Sequence, residues 1–106
     1  MGHRVAIFGS GGQVGAELLK EFQAAGYEAV GIERRQVDIT DSSRVEKAVA
    51  ELDPAVIVNT AAYNMVDVAE SEPQAAYAVN GLAVRNLALA ARQVDARFVH
   101  FSTDYV

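Results

Sequence analysis

The stretch VAIFGSGGQVGAEL, residues 5–18, holds four glycines between an apolar run and a series of good helix formers. The apolar run has the composition of a buried strand, and the residues after the glycines have helical spacing. Gly9, Gly12 and Gly15 form a G-x-x-G-x-x-G pattern, whereas a G-x-G-x-x-G beginning at Gly9 fails at Val14. The stretch therefore predicts a strand, a tight turn and a helix in immediate succession.

A strand that turns directly into a helix leaves the first N–H groups of the helix unpaired, at the positive end of the helix dipole. Gly9 permits the tight turn, Gly12 lets backbone approach a phosphate, and Gly15 lets the helix pack closely on the strand. The turn therefore predicts a binding site for the diphosphate of a dinucleotide. A flexible turn without a ligand is the alternative interpretation.

Three further segments are short, apolar and rich in β-branched residues. The four predicted strands are 4–8, 28–33, 55–60 and 97–102, and helical spacing fills the gaps between them. Near-continuous apolar strands are typical of a parallel sheet covered on both faces. The sequence predicts an α/β fold, an incomplete NAD(P)-binding Rossmann-like doubly wound sheet with strands ordered 3-2-1-4. Strand 4 would leave an unpaired apolar edge.

Local signals mark where the helices begin and end. Gly26 is placed to end the first helix. Ser43 and Glu46 are spaced as a capping box for the second helix, which ends at Asp53–Pro54. The third helix has Pro73 in its first turn. Its predicted apolar stripe consists of Val79, Leu82, Ala83, Leu87, Ala90 and Val94.

Length, composition and charge narrow the classes of protein to which the chain can belong. The chain has 106 residues, of which 51% are hydrophobic, so we expect a single dinucleotide-binding domain over residues 1–106. A net charge of −5 without a basic block argues against nucleic acid or an anionic membrane as a partner. No cysteine is present, which excludes thiolate chemistry. Without a membrane-spanning run or a secretory signal, we expect a cytoplasmic protein.

The residues after strand 2 offer both chemistries that distinguish the nicotinamide dinucleotides. An acidic residue there accepts hydrogen bonds from the adenosine ribose, whereas a basic residue binds the 2′-phosphate of NADP. Glu33 fits the first role, and Arg34 and Arg35 fit the second. We favour NADP(H), with NAD(H) as the alternative, and a solvated charged turn is the interpretation without function.

Five motifs, spread along nearly the whole chain, support the prediction of a dinucleotide-binding protein. They are FGSGGQVG (8–15), VDITD (37–41), VNTAAYNMVDVAESEP (58–73), AYAVN (76–80) and HFSTDYV (100–106). Together they resemble the amino-terminal part of the dTDP-4-dehydrorhamnose reductases, a family of extended short-chain dehydrogenase/reductases. The resemblance implies an oxidoreductase that uses NADPH or NADH to reduce dTDP-4-dehydro-6-deoxy-L-mannose to dTDP-L-rhamnose, for polysaccharide biosynthesis.

The resemblance also implies roles for individual residues. Those implied in cofactor binding are Gly9, Ser10, Gly12, Gln13, Val14, Asp38, Ile39, Ala61, Ala62 and Tyr63. Thr103 matches the catalytic hydroxyl of the family, with Val66, Asp104 and Tyr105 on the substrate side. A hydroxyl at this place stabilises the negative charge that grows on the carbonyl oxygen as hydride arrives.

One part of the family's site has no match in this sequence. The family donates its proton from a Tyr-x-x-x-Lys motif, whereas the fourth residue after Tyr77 is Gly81. The sequence stops at Val106, where the family continues into the catalytic pair and the sugar-nucleotide subdomain. We expect the chain to be the cofactor-binding portion of a longer reductase, without its substrate domain, and to be inactive by itself.

Rival interpretations concern the chain and several residues. The chain would alternatively be a non-catalytic nucleotide-binding or regulatory module of the same fold, or a homodimer paired through the edge of strand 4. His100, between apolar strand residues, is interpreted as structural. Asp67, Glu70 and Glu72 lead into a helix, where carboxylates favour the positive dipole end, so we predict no metal site.

Overall fold

Strands and helices alternate along the chain in the computed structural model, which describes residues 4–33, 35–60 and 73–101, and only the backbone of 73–80. The strands are β1 (Arg4–Phe8), β2 (Glu28–Ile32), β3 (Val56–Asn59) and β4 (Arg97–His100). The helices among the described residues are α1 (Gln13–Ala24), α2 (Ser42–Leu52) and α3 (Pro73–Gln93). The predicted alternation is confirmed, and β2, β3 and β4 are slightly shorter than predicted.

The four strands form one parallel sheet in the order β2-β1-β3-β4. Ile7 of β1 pairs with Gly31 of β2 on one side and with Val58 of β3 on the other. The predicted order 3-2-1-4 is wrong, because β3 lies beside β1, and β2 is at the end of the row of described strands. The burial of the strands fits the observed order, since β1 is buried over Val5–Phe8 whereas β2 begins with the exposed Glu28.

The faces on which the helices lie explain this order. A right-handed crossover places its helix on one face when the chain moves one way along the sheet and on the opposite face when it moves back. The chain moves from β1 to β2 through α1 and then returns past β1 to β3 through α2, so the two helices cover opposite faces. The order 3-2-1-4 would have put α1 and α2 on the same face. The sheet is doubly wound and Rossmann-like, as predicted.

Two buried clusters, one on each face of the sheet, hold the helices in place. The cluster under α1 comprises Val5, Ile7 and Val58, with Leu18, Leu19 and Phe22 of the helix packed against them. The cluster on the other face joins the sheet to α2 and α3 and includes Ala6, Phe8, Ile57, Val45, Val49, Leu87 and Ala90. Because successive strand residues point to opposite faces, covering both faces requires the near-continuous apolar strands seen in the sequence.

The helix ends match the sequence signals at Gly26, at Asp53–Pro54 and at Pro73, where α3 begins, but not at Ser43. Gly26, beyond the end of α1, has a φ of 94°, as predicted. α2 ends at Leu52, directly before Asp53–Pro54 as predicted, and its C-cap, Asp53, has a φ of 45°. The capping box predicted at Ser43 is wrong, because Asp41 is the N-cap of α2. Its Oδ1 accepts a hydrogen bond from Arg44 N at 3.2 Å.

α3 packs on the sheet through part of the predicted stripe. Ala83, Leu87 and Ala90 are buried, and Val94 packs against the same core. Leu82 is 44% exposed, so its assignment to the buried stripe is wrong, and Val79 lies outside the described side chains. None of the described helices is long and apolar enough to cross a membrane.

β4 forms the edge of the sheet opposite β2. Among the described strands it pairs only with β3. Val99 of β4 is 37% exposed, and Phe101, directly after the strand, is 44% exposed. The described part of the chain therefore has the apolar open edge that the sequence predicts.

Candidate functional site

The carboxyl ends of β1 and β3 mark the point where the connections of the sheet diverge. β1 connects outward to β2, and β3 connects outward to β4 on the other side. In doubly wound sheets a crevice opens at such a switch point, and ligands bind there. Thr60, directly after β3, ties the two strand ends together: its N and Oγ1 both donate to the Phe8 carbonyl oxygen, at 2.9 and 2.8 Å.

The glycine turn follows β1 at this switch point. Gly9 has a φ of 88°, a left-handed conformation that residues with a Cβ atom rarely adopt. Its N–H donates to the Ile32 carbonyl oxygen at 2.9 Å, and its own carbonyl oxygen accepts from Gly12 N at 3.0 Å. These bonds fix the turn to the end of β2 and lead the chain into α1.

Gly15, in the first turn of α1, lies directly against the glycine turn. A Cβ atom at this position would overlap the Gly9 carbonyl oxygen and lie 2.7 Å from Thr60 Oγ1. A larger residue would therefore require the helix to move away from the strand ends, against the close packing of the interior. The geometry confirms the predicted packing role of Gly15.

The amino-terminal end of α1 is open on its outer side. Its N-cap, Gly12, has no side chain, and a Cβ atom there would meet only the Gly9 carbonyl oxygen among the described atoms, at 3.5 Å. Gln13 and Val14 are exposed, and no acidic residue occurs in the first turn. The helix end, with its partial positive charge, is thus accessible to an anion, and its residues fit the diphosphate of a dinucleotide.

Ser10 reaches across the turn to β2. A Cβ atom on Gly31 would lie 2.6 Å from Ser10 Oγ and 3.1 Å from Leu19 Cδ2. Gly31 therefore makes room for both Ser10 and α1, a role that the sequence analysis missed. The signal was present, because a glycine inside a strand often marks the close approach of another group.

Glu33, at the tip of β2, lies against Gly11 of the glycine turn and pairs with Arg35. Arg35 donates to Glu33 Oε2 at 3.2 Å. The side chain of Arg35 is 82% exposed, against 40% for Glu33. The structure therefore places Glu33 next to the turn, whereas Arg34 lies outside the described residues.

Asp38 and Ile39 have different surroundings. Asp38 is exposed, and its Oδ1 accepts hydrogen bonds from Thr40 N and Oγ1 at 3.0 and 2.6 Å. Ile39 is only 3% exposed and packs in the core, while its carbonyl oxygen accepts from Asn86 Nδ2 at 3.0 Å. The buried Asn86 of α3 thus fixes the segment that follows the tip of β2, and the sequence analysis missed it because it lies outside the apolar stripe.

The other predicted site residues lie outside the described residues: Ala61, Ala62, Tyr63, Val66, Thr103, Asp104 and Tyr105. Their roles stay predictions. The acidic residues Asp67, Glu70 and Glu72 also lie there. Within the described ranges, no three metal-ligating side chains come together.

A side-chain contact joins the ends of β3 and β4. Asn59 is 1% exposed, and its Nδ2 donates to His100 Nδ1 at 3.1 Å. The His100 ring also stacks on Phe98, with ring centroids 6.4 Å apart. These contacts give His100 a structural place between the two strands.

Comparison with solved structures confirms the Rossmann-like fold. A dTDP-4-dehydrorhamnose reductase from Bacillus anthracis, in complex with NADP, is 40% identical with a TM-score of 0.88, and the match covers 100% of this chain and 38% of that one. A UDP-glucose 4-epimerase from Thermus thermophilus, in complex with NAD, is 27% identical with a TM-score of 0.79, covering 88% of this chain and 35% of that one.

Comparison of the sequence confirms the family resemblance. A dTDP-4-dehydrorhamnose reductase from Mycolicibacterium smegmatis is 45% identical over 106 residues, which make up 100% of this chain and 32% of that protein. The chain thus spans about a third of the length of the curated relatives that it matches. Residues 3–106 match the family described as the RmlD substrate binding domain, and the chain belongs to this family.

Proposed function

We propose that the chain is the cofactor-binding portion of an NAD(P)H-dependent reductase that converts dTDP-4-dehydro-6-deoxy-L-mannose to dTDP-L-rhamnose. The observation that carries this proposal is the open amino-terminal end of α1, which the glycine turn directs to the switch point of the sheet. The relatives that bind NADP or NAD support the class of cofactor. Both cofactors share the diphosphate, so both fit the helix end.

In this proposal the N–H groups at the start of α1 donate to the diphosphate. Gly12 leaves room for the phosphate oxygens, and Gln13 and Val14 border them. The helix end contributes about 0.3–2 kcal/mol to the binding of the anion. Asp38, exposed beyond the tip of β2, is proposed to border the adenine, with Ile39 packed behind it.

The reacting end of the cofactor is proposed to lie beyond β3 and β4. A bound nicotinamide would supply the hydride. Ala61, Ala62 and Tyr63 follow β3 and are proposed to line the nicotinamide ribose. Thr103 follows β4 and is proposed to donate a hydrogen bond to the carbonyl oxygen of the sugar as negative charge develops on it. The proposed substrate contacts are Val66, Asp104 and Tyr105.

Reduction of the sugar also requires a proton donor. The 106 residues contain no Tyr-x-x-x-Lys to donate a proton, so we infer that they bind the cofactor without reducing the sugar by themselves. A second candidate is a non-catalytic nucleotide-binding or regulatory module, which needs no proton donor. The two candidates differ in the nicotinamide half of the cofactor, which only a reductase needs to hold.

The test is a calorimetric titration of the 106-residue chain with NADPH, NADH and ADP-ribose. We expect saturable binding of both dinucleotides at one site, tighter than that of ADP-ribose, and no turnover when the keto sugar is added with NADPH. Absence of saturable dinucleotide binding would overturn the proposal. Binding of ADP-ribose as tight as that of the dinucleotides would favour the non-catalytic module.

A further inference from the structure

The carboxyl group of Glu33 lies against Gly11, a glycine of the turn that the G-x-x-G-x-x-G spacing does not use. A Cβ atom on Gly11 would lie 2.8 Å from Glu33 Oε1, and 3.4 and 3.5 Å from Glu33 Cγ and Cδ. A side chain at position 11 would therefore displace the carboxylate from the turn. Because the end of a glutamate side chain is flexible, this displacement would leave the fold intact.

Gln36 holds the backbone of Glu33 in place. Gln36 Oε1 accepts from Glu33 N at 2.7 Å, and Gln36 N donates to the Glu33 carbonyl oxygen at 2.9 Å. Val37 N donates to the same oxygen at 3.3 Å. Both backbone polar groups of Glu33 thus have partners, and the residue is fixed at the tip of β2.

Arg35 is the less firmly held member of the charged pair. It contacts Glu33 Oε2, whereas Oε1 is the carboxylate oxygen nearest the Cβ position of Gly11. A largely exposed ion pair contributes little stability, so Arg35 can leave Glu33 at small cost. The carboxylate, in contrast, lies against the backbone of the turn.

We propose that Gly11 and Gln36 position the Glu33 carboxylate as an acceptor for the adenosine ribose hydroxyls, so that the chain binds NAD(H) more tightly than NADP(H). This inference rests on the proposed function, because it requires a dinucleotide whose diphosphate lies at the start of α1. It reverses the order of preference that the sequence favours.

The chemistry of the two cofactors at this position explains the preference. The ribose of NAD(H) offers two hydroxyl donors to a carboxylate, and such hydrogen bonds are charge-assisted. The 2′-phosphate of NADP(H) removes one donor and brings negative charge beside the carboxylate. Arg35 offsets part of this repulsion, so NADP(H) still binds, but more weakly.

The test is a calorimetric titration of the full 106-residue chain with NADH and with NADPH at one ionic strength. We expect NADH to bind about tenfold more tightly than NADPH, and Glu33→Gln to reduce this preference to about threefold or less. Gly11→Ala should reduce it similarly by moving the carboxylate. In the Glu33→Gln background, Gly11→Ala should change the preference no further, because both substitutions act through one contact.

Matched variants separate positioning from general damage. Gln36→Met removes the acceptor of Glu33 N and should lower the preference. Its control, Gln93→Met, removes an exposed glutamine that donates to Glu46 at 3.2 Å on a different part of the surface. Gly81→Ala is the control for Gly11→Ala, since no described atom lies within 4 Å of its Cβ position. Both controls should keep the wild-type preference.

The possible titration results distinguish the cofactor preference, the positioning roles of Gly11 and Gln36, and the proposed function. Equal affinities, tighter binding of NADPH, or an unchanged preference in Glu33→Gln overturns this inference and leaves the proposed function standing. A preference lost in Glu33→Gln but kept in Gly11→Ala and Gln36→Met overturns the positioning roles. No saturable binding of either cofactor overturns the proposed function, and the preference with it.

Discussion

Gly12 and Gly15 are both glycines at the start of α1, for different physical reasons. At Gly15 the protein itself occupies the space of a Cβ atom, whereas at Gly12 that space is open. The spacing in the sequence predicts both positions, for packing at Gly15 and for the proposed approach of a phosphate at Gly12. The places of Glu33 against Gly11 and of Ser10 against Gly31 could not be predicted, since they depend on how β2 lies beside the turn.

Gly15→Ala should lower the free energy of unfolding by about 1–3 kcal/mol, because the added methyl group overlaps the Gly9 carbonyl oxygen. Urea denaturation measures the change. Gly81→Ala makes the same chemical change at an exposed position in α3 and should raise stability by about 0.5–1 kcal/mol. Equal destabilisation by the two variants would contradict the packing role of Gly15.

Gly12→Asp should strongly weaken dinucleotide binding without destabilising the fold. The position has room for a Cβ atom, and aspartate is a favourable N-cap residue. Its charge, however, repels the diphosphate at the helix end. The control is Gly12→Asn, which has the same shape without the charge. Calorimetric titration with NADH should show weaker binding for Asn than for the wild type, because its side chain fills the room left for the phosphate, and at least about tenfold weaker binding still for Asp. Wild-type affinity in both variants would argue against a diphosphate at α1.

At the scale of the elements, helix α2 shows what local patterns can and cannot decide. Its carboxyl-terminal end was predictable from Asp53–Pro54. Its N-cap was not, because Asp41, Ser42 and Ser43 are consecutive residues that can all cap a helix. Which of them does so depends on where the backbone leaves the extended conformation, and Asp41 is the residue with extended angles.

Asp41→Ala should lower the free energy of unfolding by about 1 kcal/mol, since it removes the acceptor of Arg44 N. Ser43→Ala is the matched control and should have a much smaller effect, because Ser43 lies within the helix. Thermal unfolding followed by circular dichroism measures both. A larger loss of unfolding free energy for Ser43→Ala than for Asp41→Ala would contradict Asp41 as the N-cap and favour the capping box at Ser43.

At the scale of the whole molecule, the class of fold was predictable and the strand order was not. Alternating periods identify a parallel doubly wound sheet, but right-handed crossovers are compatible with β3 on either side of the β1–β2 pair. The outcome depends on which face α2 covers, and that is decided by packing between segments distant in sequence. The correct order also moves the switch point to the ends of β1 and β3, where Gly9 and Thr60 lie.

The edge of β4, which no other described strand pairs with, should make the chain self-associate. Val99 and Phe101, in and directly after this strand, are exposed, and a strand edge that is not covered pairs readily with another. Sedimentation velocity should show a mass that rises with concentration, and Val99→Lys should restore the monomer. A monomeric mass at every concentration would contradict pairing through β4.

The central claim is that the glycine turn and the start of α1 form a dinucleotide site. A nuclear magnetic resonance titration of the ¹⁵N-labelled chain with NADH tests it most directly, because each backbone amide reports separately. We expect saturable shifts in the amides of Gly9–Gly15 and Glu33, with one common affinity. The absence of saturable shifts, or shifts confined to β4 and the far end of the sheet, would contradict the claim.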